Sequence, residues 1–153
     1  MAYNKSKAKG SAFEAKIAKR FTEEFGKEFR RVPLSGALEW MKGDVICIKD
    51  TAWFHWCIEA KHYKEINWNS LLTAKSADMF SFWEQTKREA LVMDKLPLLI
   101  FRWDRSKDYV AYEDDIVTLS DYIEVSSFGH KFKIALLDDW VDAVKNQTDL
   151  AKR

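Results

Sequence analysis

The sequence predicts a single α/β domain in which a central mixed β-sheet is flanked by helices. Its 153 residues are the length of one ordinary domain, and 47% of them are apolar, which is enough for a substantial core. Segments with helical and strand-like periodicity follow one another along the chain, with a helix near each end. We expect residues 1–10 to form a flexible basic arm and residues 11–153 to form the single domain.

The first helix is predicted from Ser11 to about Phe25. Ser11 and Glu14 have the S-x-x-E spacing of a capping box, and Gly26 suits the end of a helix. The helical period places four apolar side chains in one stripe: Phe13, Ile17, Phe21 and Phe25. We expect this stripe to pack against the sheet.

The strands are recognised from short apolar runs between turn residues. Residues 29–34 form one strand, and residues 44–49 and 53–60 form an antiparallel hairpin across a turn at Asp50 and Thr51. The elements that follow are a helix beginning within 67–76, a firm helix over 78–94, strands over 97–103 and 109–113, a hairpin over 121–137 with Gly129 in its turn, and a last helix capped by Asp138 and running to Leu150.

The charge is nearly balanced overall but unevenly distributed. The 25 Lys and Arg residues against 24 Asp and Glu give a net charge of +1, which argues against a polybasic nucleic-acid binder. Residues 1–31, however, carry nine positive and four negative side chains, whereas residues 104–153 carry seven positive and eleven negative. The basic N-terminal part is therefore a candidate for contacting phosphates.

The sequence predicts a cytoplasmic protein without membrane association. Cys47 and Cys57 lie in apolar stretches without metal-binding spacing, as reduced core cysteines do. The polar, Lys-rich N-terminus has no signal-peptide pattern, and the longest apolar run, Leu96 to Phe101, is far too short to span a bilayer.

The sharpest chemical signal is Glu59-Ala60-Lys61, at the end of a predicted strand. Because side chains alternate along a strand, Glu59 and Lys61 share a face. Asp44 opens the partner strand, and a four-residue loop over residues 50–53 would place it opposite Glu59, whereas a three-residue loop would not. Two close carboxylates favour a hard divalent cation. The competing interpretation is an exposed Glu59–Lys61 ion pair beside an ordinary strand-start Asp.

Glu14 adds to this signal. Its competing role is the capping box, but on the helical wheel it falls between Phe21 and Phe25, inside the apolar stripe. A carboxylate aimed at the sheet needs a partner or a metal ion.

A resemblance to a known family lies in four segments: KGSAFEAKIAKRF, RRVPLSGA, GDVICI and CIEAK. In this order they resemble the PD-(D/E)XK nuclease superfamily, and in particular archaeal-type Holliday junction resolvases and related phage nucleases. The family pattern of a helix Glu, a hairpin Asp and an E-x-K sequence is matched by Glu14, Asp44, Glu59 and Lys61. The resemblance covers about residues 9–103 and implies a restriction-endonuclease-like fold. Gly43 stands where the pattern has Pro.

The resemblance implies a metal-dependent mechanism. Asp44, Glu59 and the Ala60 carbonyl would hold Mg²⁺, for which Mn²⁺ can substitute, and Glu14 would be a direct or water-mediated ligand. Lys61 would orient the attacking water and offset charge on the phosphate.

Several further residues are candidates for the site or for contact with DNA phosphates. Ser35 matches a loop serine that such resolvases place near the phosphate, although a turn role beside Gly36 is equally open. Gln85 resembles a helix Gln or Lys that related nucleases bring to the site, against an ordinary polar position. The candidate phosphate contacts, against a solubility role for each, are Lys5, Lys7, Lys9, Arg30 and Arg31.

The sequence thus predicts a Mg²⁺-dependent endodeoxyribonuclease, a hydrolase of phosphodiesters whose preferred substrate is the four-way junction of DNA recombination and repair. One rival is another nuclease of the superfamily, restriction-like, nicking or acting on branched DNA. The other is a non-catalytic DNA-binding protein of the same fold. We also expect a homodimer, because the large apolar side chains are more than we expect one core of this size to bury: Trp53, Phe54, Trp56, Trp68, Phe80, Phe82 and Trp83. If the chain is phage-encoded, it would act in the host cytoplasm.

Overall fold

The computed structural model describes residues 2–32, 42–48 and 53–148, with side chains from Ala8 onward. Its elements in chain order are α1 (Ala2–Phe25), β1 (Phe29–Arg31), β2 (Val45–Cys47), β3 (Trp56–Tyr63), α2 (Ser70–Thr73), α3 (Asp78–Val92), β4 (Leu96–Trp103), β5 (Tyr109–Tyr112), β6 (Ile123–Ser127), β7 (His130–Leu136) and α4 (Leu137–Gln147).

The strands form one seven-stranded sheet in the order β1-β2-β3-β4-β5-β7-β6. β3 and β4 run parallel across the α3 crossover, and the other neighbouring pairs are antiparallel. The predicted class, an α/β domain with a central mixed sheet flanked by helices, is confirmed.

The helices cover both faces of this sheet. α1 and α4 pack on one face, where the predicted stripe of Phe13, Ile17, Phe21 and Phe25 is at most 3% exposed. α3 packs on the other face through Phe80 and Trp83. Side chains of β3 therefore alternate between the two cores, with Ile58 and Ala60 facing α1.

Two helix starts were predicted wrongly. α1 begins at Ala2, so Ser11 lies inside the helix and is not its cap, and residues 2–10 of the expected arm are helical. Ser11 instead accepts a hydrogen bond from Arg31. α4 has Leu136 at its N-cap position, and Asp138 pairs with Arg20. Ser11 and Asp138 thus have tertiary partners in place of the predicted capping roles, and local sequence patterns do not register such partners.

The expected surplus of apolar side chains is also wrong in large part. Four of the seven, Phe54, Trp56, Phe80 and Trp83, are at most 3% exposed within the single chain. Trp53 and Phe82 are partly buried against the cores, and Trp68 is exposed. The two-sided sheet provides two cores instead of the single core assumed, so this set gives no argument for a dimer.

Among the described helices, none has the length and apolar character to cross a lipid bilayer.

Candidate active site

The site is centred on the place where β2 begins beside β3. The register Val45–Ile58 is the one that a four-residue loop gives, so the condition for bringing Asp44 next to Glu59 is met. The Asp44 backbone N–H donates to the Ile58 carbonyl at 2.7 Å, and the Asp44 carboxylate accepts from the Ala60 N–H at 2.8 Å. Asp44 therefore bonds to both neighbours of Glu59.

Gly43 makes this approach possible. Its φ is +91°, and a Cβ at this position would lie 2.7 Å from the Ile58 carbonyl oxygen. Proline fixes φ near −65°, so it could not adopt this conformation. The departure from the family pattern at Gly43 thus has a steric reason in this chain.

Glu59 and Lys61 lie inside β3 and not at its end, because the strand continues to Tyr63. Glu59 is 2% exposed, which rules out the exposed ion pair that was the competing interpretation. The Lys61 Nζ lies 4.8 Å from the centroid of the Phe82 ring on α3. A carboxylate this deeply buried requires a nearby cation or a proton.

Glu14 reaches the same region from α1. Its Oε2 accepts from the Arg31 Nε at 3.0 Å, and Arg31 also donates to the Ser11 hydroxyl. Burial raises the pKa of Glu14 above its ordinary value, the negative charge of Asp44 raises it further, and Arg31 and Lys61 oppose the shift. Glu14, Asp44, Arg31 and Lys61 are thus close enough to influence one another.

Asp44 shows the same balance. Burial raises its pKa, while the hydrogen bond from Ala60 and the positive charges of Lys61 and Arg31 favour the ionised form. Helix α1 and strands β2 and β3 thereby bring the sequence-predicted Glu14, Asp44, Glu59 and Lys61 into one place.

Comparison with known proteins identifies the family of this chain. A family model described as "Phage putative PDDEXK endonuclease" matches residues 5–147. The chain belongs to this family. The mixed sheet with flanking helices is accordingly the restriction-endonuclease-like fold that the sequence predicts for such an endonuclease.

Two individual proteins resemble this chain at low sequence identity. Protein D14 of Escherichia phage T5 is 32% identical over 113 residues, which are 71% of each chain. The 1.6 Å structure of Archaeoglobus fulgidus Hjc, a Holliday junction resolvase from an archaeal hyperthermophile, matches 86% of this chain and 91% of its own, at 14% identity and a TM-score of 0.43.

Glu89, on α3, is a site neighbour that the sequence did not single out. Its Oε2 is buried without a hydrogen-bond partner in the described part of the chain. Burial raises its pKa, and the negative charge of Asp44 raises it further. Gln85 lies one turn earlier on α3, between Phe82 and Glu89 on the same flank of the helix. The helical spacing of Phe82, Gln85 and Glu89 could have indicated that these three side chains share one flank of α3.

The donor groups suit a magnesium ion. Among the described residues, no group of three or more His, Cys, Asp and Glu side chains is arranged to hold a metal. Mg²⁺, however, is usually bound by one or two carboxylates and keeps several waters, so Asp44 and Glu59 with the Ala60 carbonyl meet its needs. Glu14 is engaged by Arg31. In this arrangement it would act through water or after leaving Arg31.

The three basic DNA-contact candidates whose side chains the structure describes all have carboxylate partners. Lys9 binds Asp104 at 2.7 Å, Arg30 binds Glu28 at 2.6 Å, and Arg31 binds Glu14. The ion pairs that join basic residues of the N-terminal part to acidic residues of the C-terminal part include Lys9–Asp104, Lys16–Asp108 and Arg20–Asp138. The side chains of Lys5 and Lys7, and Ser35 as a whole, lie outside the described residues.

Proposed function

We propose that this PDDEXK family member is a Mg²⁺-dependent DNA endonuclease that cuts four-way junctions. The observation that carries the nuclease chemistry is Asp44 bonded to both neighbours of the buried Glu59, with Lys61 on the same strand. Such a dense set of charges is costly to bury and has no evident structural purpose.

Each residue has a defined role in phosphodiester hydrolysis. Asp44, Glu59 and the Ala60 carbonyl would hold the ion, and Glu14 would complete the site directly or through water. When bound there, Mg²⁺ would polarise the scissile phosphate and lower the pKa of a coordinated water. Lys61 orients that water by hydrogen bonding, and its positive charge stabilises the negative charge that develops on the phosphate oxygens.

The junction preference rests on the resemblance to archaeal-type resolvases and on symmetry. One chain supplies one set of catalytic residues, whereas resolving a junction requires two symmetric cuts. A two-fold dimer would present two sites to a two-fold substrate. Exposed apolar residues are available for such contact, including Leu91 at 81% and Val92 at 58% exposure at the end of α3.

The test compares labelled four-way junction, flap and plain duplex DNA, each with Mg²⁺, with Mn²⁺ and with EDTA. We expect paired nicks in opposite strands of the junction, dependent on the metal, and sedimentation at about twice the 18.0 kDa chain mass. Asp44→Asn should abolish cleavage and leave binding intact or tighter, and Asp121→Asn, an exposed site elsewhere, should be unaffected.

The outcomes separate the alternatives. A monomer that cuts duplex and junction equally would exclude the resolvase and keep the nuclease. DNA binding without metal-dependent cleavage would favour the non-catalytic DNA-binding protein.

A further inference from the structure

A second cluster of charges lies on the α1 face of the sheet. Asp104, directly after β4, accepts hydrogen bonds from the Lys9 Nζ at 2.7 and 2.9 Å and makes a 2.9 Å contact with the His62 Nε2. Two donors from α1 and β3 thus converge on the same carboxylate oxygen, Oδ1.

Arg102 brings a further positive charge beside His62 and donates a hydrogen bond to the Ser106 carbonyl at 3.3 Å. The parallel register pairs His62 of β3 with Arg102 of β4, so both side chains point toward α1. The Arg102 Nε is buried without a hydrogen-bond partner among the described residues and lies 3.7 Å from Asp108. Asp108 also binds Lys16 of α1 at 2.9 Å.

The Asp104 contact is of the kind that an external anion can replace. The Asp104 side chain is 41% exposed and Lys9 is 32% exposed, and ion pairs with this much access to water contribute little to stability. The His62 donor is held in place, since its side chain is only 14% exposed and packs against the Phe13 ring at 5.9 Å. Its Nε2 can donate a hydrogen bond in either protonation state.

We propose that Lys9 and His62 form a binding site for a backbone phosphate of DNA, which Asp104 occupies in the free protein, and that Arg102 adds positive charge beside His62. This inference rests on the proposed function and adds a contact that the candidate active site does not contain. His62 directly follows Lys61, and Phe13, its packing partner, directly precedes Glu14. Because side chains alternate along β3, His62 faces α1 whereas Lys61 faces α3, so a phosphate held here would contact the DNA backbone on the α1 side of β3. Its oxygens would accept from the same donors as the carboxylate.

The test is Asp104→Asn, measured by fluorescence anisotropy of a labelled duplex and a labelled four-way junction in EDTA, where nothing is cut. Removal of the competing carboxylate should tighten binding roughly two- to fivefold at low salt. The log–log slope against salt should steepen by about 0.9, the value for one more phosphate contact.

Matched variants separate this site from general electrostatics. Asp115→Asn removes the same charge from an exposed Asp that binds Lys133 at 2.7 Å on β7, and it should change neither quantity. Lys9→Gln added to Asp104→Asn should cancel the gain. Melting curves of each variant check that the fold is kept.

Equal effects of Asp104→Asn and Asp115→Asn on DNA binding would overturn the proposal. A gain in affinity that persists when Lys9 is also replaced would overturn it too, and so would the absence of DNA binding by both wild type and Asp104→Asn. A failure of the proposed function looks different: the protein would bind DNA, respond to Asp104→Asn as expected, and still not cleave with Mg²⁺.

Discussion

Lys61 is the residue whose catalytic and structural roles are easiest to separate. Its Nζ lies over the Phe82 ring and belongs to a half-buried side chain, so its loss should cost the fold under about 1 kcal/mol. We expect Lys61→Ala to slow single-turnover cleavage by orders of magnitude, because no other group would orient the water. Lys64→Ala, three residues further and exposed, should retain full activity. Near-normal cleavage by Lys61→Ala would contradict the assigned role.

Gly43 tests the close approach of two strands. We expect Gly43→Ala to lower the free energy of unfolding by roughly 1–3 kcal/mol and to abolish cleavage, since both the positive φ and the 2.7 Å approach to the Ile58 carbonyl would be violated. Gly129→Ala, with φ of +80° but open space around the Cβ, should show the φ cost alone and keep activity. Denaturant unfolding and a cleavage assay compare the two, and equal effects would mean that the contact is unimportant.

At the scale of elements, Gly10→Ala tests whether α1 begins at Ala2 or whether residues 1–10 form a flexible arm before the helix. Gly10 lies within α1, and nothing within 4 Å would obstruct a Cβ there. Gly10→Ala should therefore raise the free energy of unfolding by about 0.5–1 kcal/mol. An effect near zero would favour the flexible arm over a helix from Ala2. Gly26→Ala, at φ of +68° just beyond the helix, should instead destabilise the protein.

At the scale of the whole molecule, the site carboxylates link stability to pH and metal. Burial raises the pKa values of Glu14, Asp44 and Glu89, so between the ordinary value near 4 and the raised values the folded state binds more protons than the unfolded state. Above the raised pKa values these carboxylates lower the free energy of unfolding by their full amount, and this destabilisation is relieved as the pH falls toward about 4. His62, whose pKa burial lowers, acts in the opposite direction below about pH 6.5.

The charge cost of Asp44 is therefore measured by comparing the melting temperature of wild type with that of the Asp44→Asn variant. We expect Asp44→Asn to raise the melting temperature of the metal-free protein at pH 8, with a smaller gain at pH 5. Mg²⁺ should stabilise wild type at pH 8 more than at pH 5, because protons compete for the same oxygens, and should do little for Asp44→Asn. Identical melting curves for the two proteins across this range would show that Asp44 carries no such charge cost.

Periodicity explains why much of this protein could be predicted. The order of the sheet elements, the buried stripe of α1 and the shared face of Glu59 and Lys61 all follow from residue spacings of 3.6 and 2, which are local properties of the chain. The register that brings Asp44 to Glu59 depended only on the length of one short loop.

Ion pairing could not be predicted in this way. The Lys9–Asp104 contact joins residues 95 positions apart, and the Arg31–Glu14 contact joins β1 to α1. Which charges neutralise each other depends on the spatial order of strands and helices, so basic residues that look free in the sequence prove to have partners. Glu89 likewise reaches the site only because α3 crosses over the sheet between the parallel strands β3 and β4. Residue spacing was therefore enough to predict most elements and the proposed catalytic residues. Their charge partners depended on the tertiary structure, because electrostatic energy depends on distance in space and not on separation along the chain.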